Sequence, residues 1–186
     1  TKSIRNMKIT SKHKMKDLKR MMFILTNSDD NILDKIKSFD VPTEINGIKV
    51  KPYKDISIDN MLDIWDIKTT EQLYKMTAEA FLDLDEKEIP ELPLIDFIRL
   101  TQYTEEIAIL VAELFKKLHR EPEDIRIVDI LSKYKSNQFG IVARFCSMFP
   151  AYTLEQASQL PWTVIYLAFE NKTIEYDIEL EKSKLK

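Results

Sequence analysis

The scarcity of glycine is the feature that most limits what this chain can fold into. Only Gly47 and Gly140 occur among 186 residues, and 93 positions separate them. Nucleotide-binding loops need two or three glycines within about eight residues, so the Walker and dinucleotide fingerprints are both excluded. β-rich folds also use positive-φ positions repeatedly in hairpins and bulges. We therefore predict a mainly α-helical protein without a phosphate-binding loop.

Residues that could support chemistry are equally scarce. Cys146, His13 and His119 are too few for a zinc site or a disulfide framework, and no Gly-x-Ser-x-Gly motif marks a nucleophile. Cys146 lies among apolar residues and is expected to be a buried, inert thiol. Asp96 follows an apolar pair, and we expect it to pair with Arg99 or to cap a helix. We predict that the chain is not an enzyme and has no catalytic residue, cofactor or metal.

The overall composition is that of a soluble globular protein. Hydrophobic residues make up 44% of the chain and charged residues 32%. No apolar run approaches the roughly 20 residues that a membrane span requires, and the first residues do not form a secretory signal. We expect no membrane partner.

Charge is distributed unevenly along the chain. Residues 1–20 contain eight basic residues and one acidic residue, a net charge of +7, whereas the total is −3 and the remainder therefore carries −10. This basic arm could bind nucleic acid or an anionic membrane, could dock onto an acidic protein surface of its own chain or of a partner, or could be a solvated terminus.

Protein contact is the favoured role for the arm, because it carries methionines instead of the interleaved aromatic residues of single-strand binders. From Lys14 to Leu25 its apolar residues recur every three or four positions, which predicts a basic amphipathic helix. Two tryptophans further along are additional candidate anchors. The candidate partner-contact residues are Lys12, Lys16, Lys19, Arg20, Met15, Met22, Trp65 and Trp162.

Local signals place most secondary-structure elements. Asn46-Gly47 lies between segments in which polar and apolar residues alternate, and this pattern predicts a β-hairpin with a type I′ turn. Thr69 with Gln72, and Thr153 with Gln156, form capping boxes that each open a helix. The helix that Thr69 opens is predicted to end at about Leu84. Further helices are predicted at 57–67 and 93–118. Three more are predicted to begin after Pro122, after Ser136 and at Leu160-Pro161, the last of them running to the end of the chain.

These elements give a multi-helix globular domain with a small N-terminal β-hairpin and a basic N-terminal arm. We divide the chain into an arm at 1–27, a hairpin with helices at 28–88, a helical core at 89–170 and a charged helical tail at 171–186.

Residues 153–168 superficially suggest a helix-turn-helix. However, Pro161, Trp162, Val164 and Ile165 occupy the position of base-reading residues and should lie in the core.

The order of elements resembles the tail assembly chaperones and baseplate hub subunits of contractile-tailed bacteriophages. The resemblance rests on three parts of the sequence and covers about residues 41–170. These parts are the hairpin and proline-containing strand at 45–53, the Leu-Pro-Leu-Ile-Asp-Phe element at 92–97, and the run from 149 to 156 that leads into Leu160-Pro161-Trp162.

The resemblance implies a non-enzymatic protein that presents apolar helical faces to tail or baseplate proteins. A second copy of the chain is a further candidate partner. Such a protein acts in the host cytoplasm during assembly, or stays in the virion. The alternative is a regulatory protein that binds nucleic acid through its basic arm.

Overall fold

The computed structural model describes residues 12–18, 36–118 and 139–185, and these residues are mainly helical. The predicted fold class, mainly α with a small hairpin near the N-terminus, is confirmed. Within the described ranges, strands β1 and β2 precede six α-helices. They are β1 (Glu44–Ile45), β2 (Ile48–Lys49), α1 (Ile58–Trp65), α2 (Thr70–Leu82), α3 (Leu94–Leu118), α4 (Phe139–Met148), α5 (Leu154–Ser158) and α6 (Trp162–Lys184).

Some predicted elements fall wholly or partly outside those ranges. Of the predicted basic helix, the structure describes residues up to 18 and gives a short 3₁₀ helix, Met15–Asp17. The rest of that helix lies outside the described residues, and so does the helix predicted after Pro122.

Packing divides the chain into two units, each built from two separate stretches of sequence. Unit 1 comprises Thr1–Tyr53 with Asp66–Ala108, and unit 2 comprises Lys54–Trp65 with Ile109–Lys186. The first part of α3 belongs to unit 1 and its last part to unit 2. The units are therefore interleaved along the chain, whereas the segments predicted from the sequence are contiguous.

The hairpin in unit 1 has the predicted turn. Asn46 and Gly47 both have positive φ, at 54° and 81°, and Ile45 pairs with Ile48 in the antiparallel register. Ile45 is buried. The chain after the hairpin joins α2, because the Lys51 backbone N–H donates to the carbonyl oxygen of Phe81.

Helix α2 begins at its predicted capping box. The Gln72 backbone N–H donates to Thr69 Oγ1 at 3.2 Å, and the Thr69 N–H donates to Gln72 Oε1 at 3.1 Å. The helix ends at Leu82 instead of the predicted Leu84, because Asp83 adopts a left-handed conformation with φ 55°.

The core of unit 1 lies between α2 and the first part of α3. Phe81 and Phe97 are fully buried and each has an aromatic neighbour, Tyr103 and Tyr74 respectively. A buried polar pair crosses this core. Thr77 Oγ1 lies 3.1 Å from Thr104 Oγ1, and the Thr104 hydroxyl also donates to the carbonyl of Leu100. Both hydroxyls are therefore satisfied, as burial requires.

The core of unit 2 is an aromatic cluster around Phe115, from the last part of α3. Its ring centroid lies 5.6 Å from those of Trp65 and Tyr166, and 6.5 Å from those of Trp162 and Phe169. Most of these pairs are edge-to-face, the arrangement that aromatic quadrupoles favour. Other fully buried residues of unit 2 lie on α1 and α6. They include Ile58, Met61 and Ile165.

Each unit contains the same hydrogen-bonded junction at a Leu-Pro step that opens a helix. In unit 1 the Met15 N–H donates to the carbonyl of Leu92, and the Leu94 N–H donates to the carbonyl of His13. In unit 2 the Ile58 N–H donates to the carbonyl of Leu160, and the Trp162 N–H donates to the carbonyl of Ile56. These junctions tie the starts of α3 and α6 to distant parts of the chain.

Replacing Gly47 by alanine is expected to lower the free energy of unfolding by about 1 to 2 kcal/mol. An added Cβ would meet no atom within 4 Å, so the cost comes from the φ of 81° alone. Denaturant unfolding measures it. Gly47→Asn is the matched control and should lose less, because asparagine tolerates the left-handed region. Equal losses in the two variants would contradict this explanation.

Candidate interaction surface

The structure assigns the predicted partner-contact residues to different environments. Met15 and Trp162 are 6% and 4% exposed and belong to the interior. Trp65 is half-buried against Phe115. Lys12 is exposed. Lys16 is exposed and ion-paired, while Lys19, Arg20 and Met22 lie outside the described residues.

The described part of the basic arm contacts an acidic segment of its own chain. Lys14 Nζ lies 2.6 Å from Glu91 Oε2, and Lys16 Nζ lies 2.8 Å from Glu91 Oε1. The pairing of residues 13–15 with 92–94 holds both lysines in place. Two basic residues of the arm, Lys14 and Lys16, therefore have an acidic partner in their own chain.

This contact perturbs the ionisation of its members. Hydrogen bonds from Lys14 and then Lys16 lower the pKa of Glu91 from 4.5 to about 2. The hydrogen bond to Glu91 in turn raises the pKa of Lys16. All three side chains are about half exposed, so the ion pairs contribute little stability by themselves.

Helix α6 has two apolar faces, and among the described residues of unit 2 one of them is packed. The inner face carries Trp162, Ile165 and Phe169, which lie against the aromatic cluster. The outer face points away from it. We define the outer face of α6 as Val164, Leu167, Asn171, Ile174 and Ile178.

The outer face is open to solvent in the described structure. Leu167, Ile174 and Ile178 are 52%, 51% and 49% exposed. Val164 is exposed as well, so the prediction that it lies in the core is wrong. The Leu-Pro junction sets the rotation of α6 by directing Trp162 and Ile165 inwards, and residue 164 then falls on the opposite side.

Sequence reasoning missed the outer face, although a signal for it exists. Acidic and basic residues are numerous after Glu175, and they predict only a charged tail. The apolar positions 164, 167, 174 and 178, together with Asn171, nevertheless follow a regular three- and four-residue spacing. Apolar residues on both sides of α6 hid this stripe, because the packed face and the outer face overlap in the sequence.

A small groove lies elsewhere in unit 2, between α1, α4 and α5. Its volume is about 270 Å³, and Leu62, Val142 and Leu154 line it together with three carboxylates, Asp59, Asp63 and Glu155, and the hydroxyl of Ser158. In the part of the chain that the structure describes, no group of three or more His, Cys, Asp or Glu side chains is placed to hold a metal ion.

The structure gives Arg99 and Cys146 different environments from those predicted. Arg99 does not pair with Asp96. Its Nε donates to the carbonyl of Phe39 at 2.8 Å, and its Nη1 lies 3.4 Å from Glu106 Oε1. Burial raises the pKa of Asp96. Cys146 is a free thiol and is half-buried, not fully buried as predicted.

Comparisons with known proteins leave the structure as the main guide to function. No protein-family model matches the chain, and no curated protein or solved structure matches it either. None of the helices in the described ranges combines the length and apolar character that crossing a membrane needs.

Protonation of Glu91 is expected to weaken the contact between residues 13–17 and residues 89–94. A carboxyl group with a lowered folded pKa stabilises above its unfolded pKa, and this contribution disappears as the pH falls through the folded value. The change should therefore occur between about pH 4.5 and about pH 2. Amide hydrogen exchange of Met15 and Leu94 would measure it, with the Lys51 amide in the same unit as the reference.

Glu91→Gln is the control for this pH dependence. Exchange at Met15 should be faster in the variant at neutral pH and should change no further relative to Lys51 across the acid range. If Met15 and Lys51 lose protection together in the unmodified chain, general acid unfolding is responsible and Glu91 is not.

Proposed function

We propose that this chain is a non-enzymatic protein of a bacteriophage tail or baseplate, and that it acts in assembly or as a structural part through protein–protein contacts. The outer face of α6 is the observation that carries the proposal. The resemblance of residues 41–170 to tail assembly chaperones and baseplate hub subunits supplies the biological setting. In that setting the chain works in the host cytoplasm during assembly, and either leaves or remains in the virion.

The arrangement of the outer face supports a binding role more than the exposure of any one residue does. Single exposed apolar side chains are normal on soluble proteins. Here four of them align over residues 164–178, about 21 Å of helix, with uncharged Asn171 as the fifth member. A continuous apolar stripe of this kind is typical of a surface that another protein covers.

Binding of nucleic acid by the basic arm is the alternative, and the described residues give it less support. Lys14 and Lys16 share Glu91 and would have to exchange that partner for phosphates. The residues of α6 at the recognition-helix position are either buried or apolar. Arg, Lys, Asn or Gln would be needed there to read bases.

Co-purification separates the two functions. We expect the tagged chain, isolated from phage-infected cells, to retain tail or baseplate proteins after a high-salt wash, and mass spectrometry would identify them. Mass spectrometry of purified virions then distinguishes a transient chaperone from a virion subunit. If the chain instead retains only nucleic acid, and its affinity falls steeply with salt, the regulatory alternative replaces the proposal.

The contribution of the arm is best tested without removing residues 13–17, because they pair with residues 92–94. Replacing Lys2, Arg5, Lys8 and Lys12 by glutamine leaves that pairing intact. Retention of tail proteins should be unchanged. Nucleic-acid binding would instead weaken, and the slope of its salt dependence would fall by about 0.9 for each phosphate that the arm no longer neutralises.

Ile178→Glu is expected to reduce the retention of tail proteins at least tenfold, because it places a carboxylate in the outer face. Tyr176→Glu is the matched control: Tyr176 is 59% exposed on the same helix but lies on the other side, in line with Phe169. Quantitative mass spectrometry of the two eluates makes the comparison. Equal retention by the two variants would contradict a role for the outer face.

A further inference from the structure

The outer face of α6 follows the heptad spacing of a coiled-coil seam. Written as heptad positions, Val164, Asn171 and Ile178 occupy a, and Leu167 and Ile174 occupy d. The same register continues to Glu181 at d and Leu185 at a. Leu185 directly follows the last helical residue and keeps a right-handed helical conformation. A single helix cannot bury such a seam, so the pattern indicates a second helix.

The packed side of α6 does not compete for this seam. Phe169 occupies heptad position f, opposite a and d, and it contacts Phe115 and Arg144 within unit 2. Ile165, at position b, is fully buried. Trp162, Ile165 and Phe169 therefore fix the first turns of α6 to its own unit. Beyond them Tyr176 and Leu180, on the same side, are 59% and 39% exposed, and the a and d positions point the other way.

We propose that the outer face of α6 binds the same face of a second copy of this chain, with the two helices antiparallel. This inference rests on the proposed function and refines it: the outer face binds a second copy, and tail or baseplate proteins are then retained by the dimer. The positions of the two polar residues in the seam, Asn171 and Glu181, favour a second copy as the partner and an antiparallel orientation.

An antiparallel pair can match by polarity every layer between residues 167 and 185, and Val164 lies outside these layers. Layers form between a positions of one helix and d positions of the other. When the two-fold axis passes at the level of residue 176, apolar residues meet apolar residues and polar residues meet polar residues. The layers are Leu167 with Leu185, Asn171 with Glu181, and Ile174 with Ile178, each formed twice.

The Asn171 and Glu181 layer gives the register its specificity. The side-chain amide of Asn171 can donate to the carboxylate of Glu181 from the second copy, so the carboxylate gains a hydrogen-bond donor in this layer. A shifted register would place Glu181 against an aliphatic residue, and burying an unpaired carboxylate is strongly unfavourable. Single polar residues at core positions fix coiled-coil register in this way.

Charges beside the seam favour the same arrangement. In this register Glu170 lies next to Lys184 of the second copy, twice in the dimer. Lys184 pairs with Glu181 of its own helix in the single chain, and that exposed pair is weak enough to rearrange. Asp177 and Glu175 each approach their own counterpart near the axis, at the solvent-facing edges where salt screens the repulsion.

A parallel pair is disfavoured by the same residues. It would place Glu181 against Glu181 in a core layer and Glu170 beside Glu175 at both edges. Asp177 would attract Lys182 and the two Asn171 amides could hydrogen-bond, but neither offsets two carboxylates in one core layer. Antiparallel helices also place the two copies of unit 2 at opposite ends of the pair, so that Leu185 of one copy covers Leu167 of the other.

The oligomeric state of the full chain tests the partner. Analytical ultracentrifugation from low to high micromolar concentration should give twice the monomer mass of 21.9 kDa. Ile178→Glu should halve the measured mass, because it introduces a carboxylate into both central layers, whereas Tyr176→Glu should leave the dimer intact. Circular dichroism must show equal helix content in the two variants. A monomeric unmodified chain across the range would overturn the proposal, and so would equal dimerisation of both variants.

Disulfide cross-linking tests the orientation. In a Cys146→Ala background, Leu167→Cys chains are mixed with Leu185→Cys chains that carry a tag of different size, and a mild oxidant is added. The antiparallel register predicts the mixed product. Leu167→Cys alone should not cross-link, because its two copies would lie about 27 Å apart at about 1.5 Å per residue. Efficient cross-linking of Leu167→Cys to itself would indicate a parallel pair and overturn the inference.

The two proposals fail in different ways. A purified chain that stays monomeric but retains tail proteins through Ile178 would overturn self-association and leave the proposed function intact. A chain that dimerises as described but retains no tail or baseplate protein would overturn the function and leave the dimer standing.

Discussion

The structure depends on two backbone junctions, each at a Leu-Pro step that opens a long helix. The N–H groups of a first helical turn have no partner within the helix and must be satisfied from outside. Leu94 and Trp162 solve this by donating to carbonyls of remote residues, His13 and Ile56, and the leucine before each proline accepts a hydrogen bond in return. Proline suits the position between them, since it has no N–H to satisfy and its φ is already helical.

The junction in unit 2 also determines which surface the protein presents. By fixing the start of α6, it directs Trp162 and Ile165 into the aromatic cluster around Phe115. The rotation of the helix then places the outer face in solvent for its whole length.

The junction in unit 1 changes how the charge of the chain should be understood. A segment with a net charge of +7 on an otherwise acidic chain suggests an anionic ligand. Backbone pairing brings Lys14 and Lys16 to Glu91, so these two charges are partly neutralised within the chain. Part of the positive charge of residues 1–20 is therefore used in a contact within the chain.

The sequence by itself determined the elements whose signals act over a few residues. Asn46-Gly47 specified the hairpin turn, and Thr69 with Gln72 specified the start of α2, because both ends of each interaction lie within a few positions. Only the tertiary structure decided the partner of Arg99, the contact of Lys14 with Glu91, 77 positions away, and the exposure of Val164. Those outcomes depend on how helices rotate and which distant segments meet. Local sequence patterns do not determine the rotation of a helix or the contacts between distant segments. In α6, for example, both faces are apolar, and only packing selects the one that is buried.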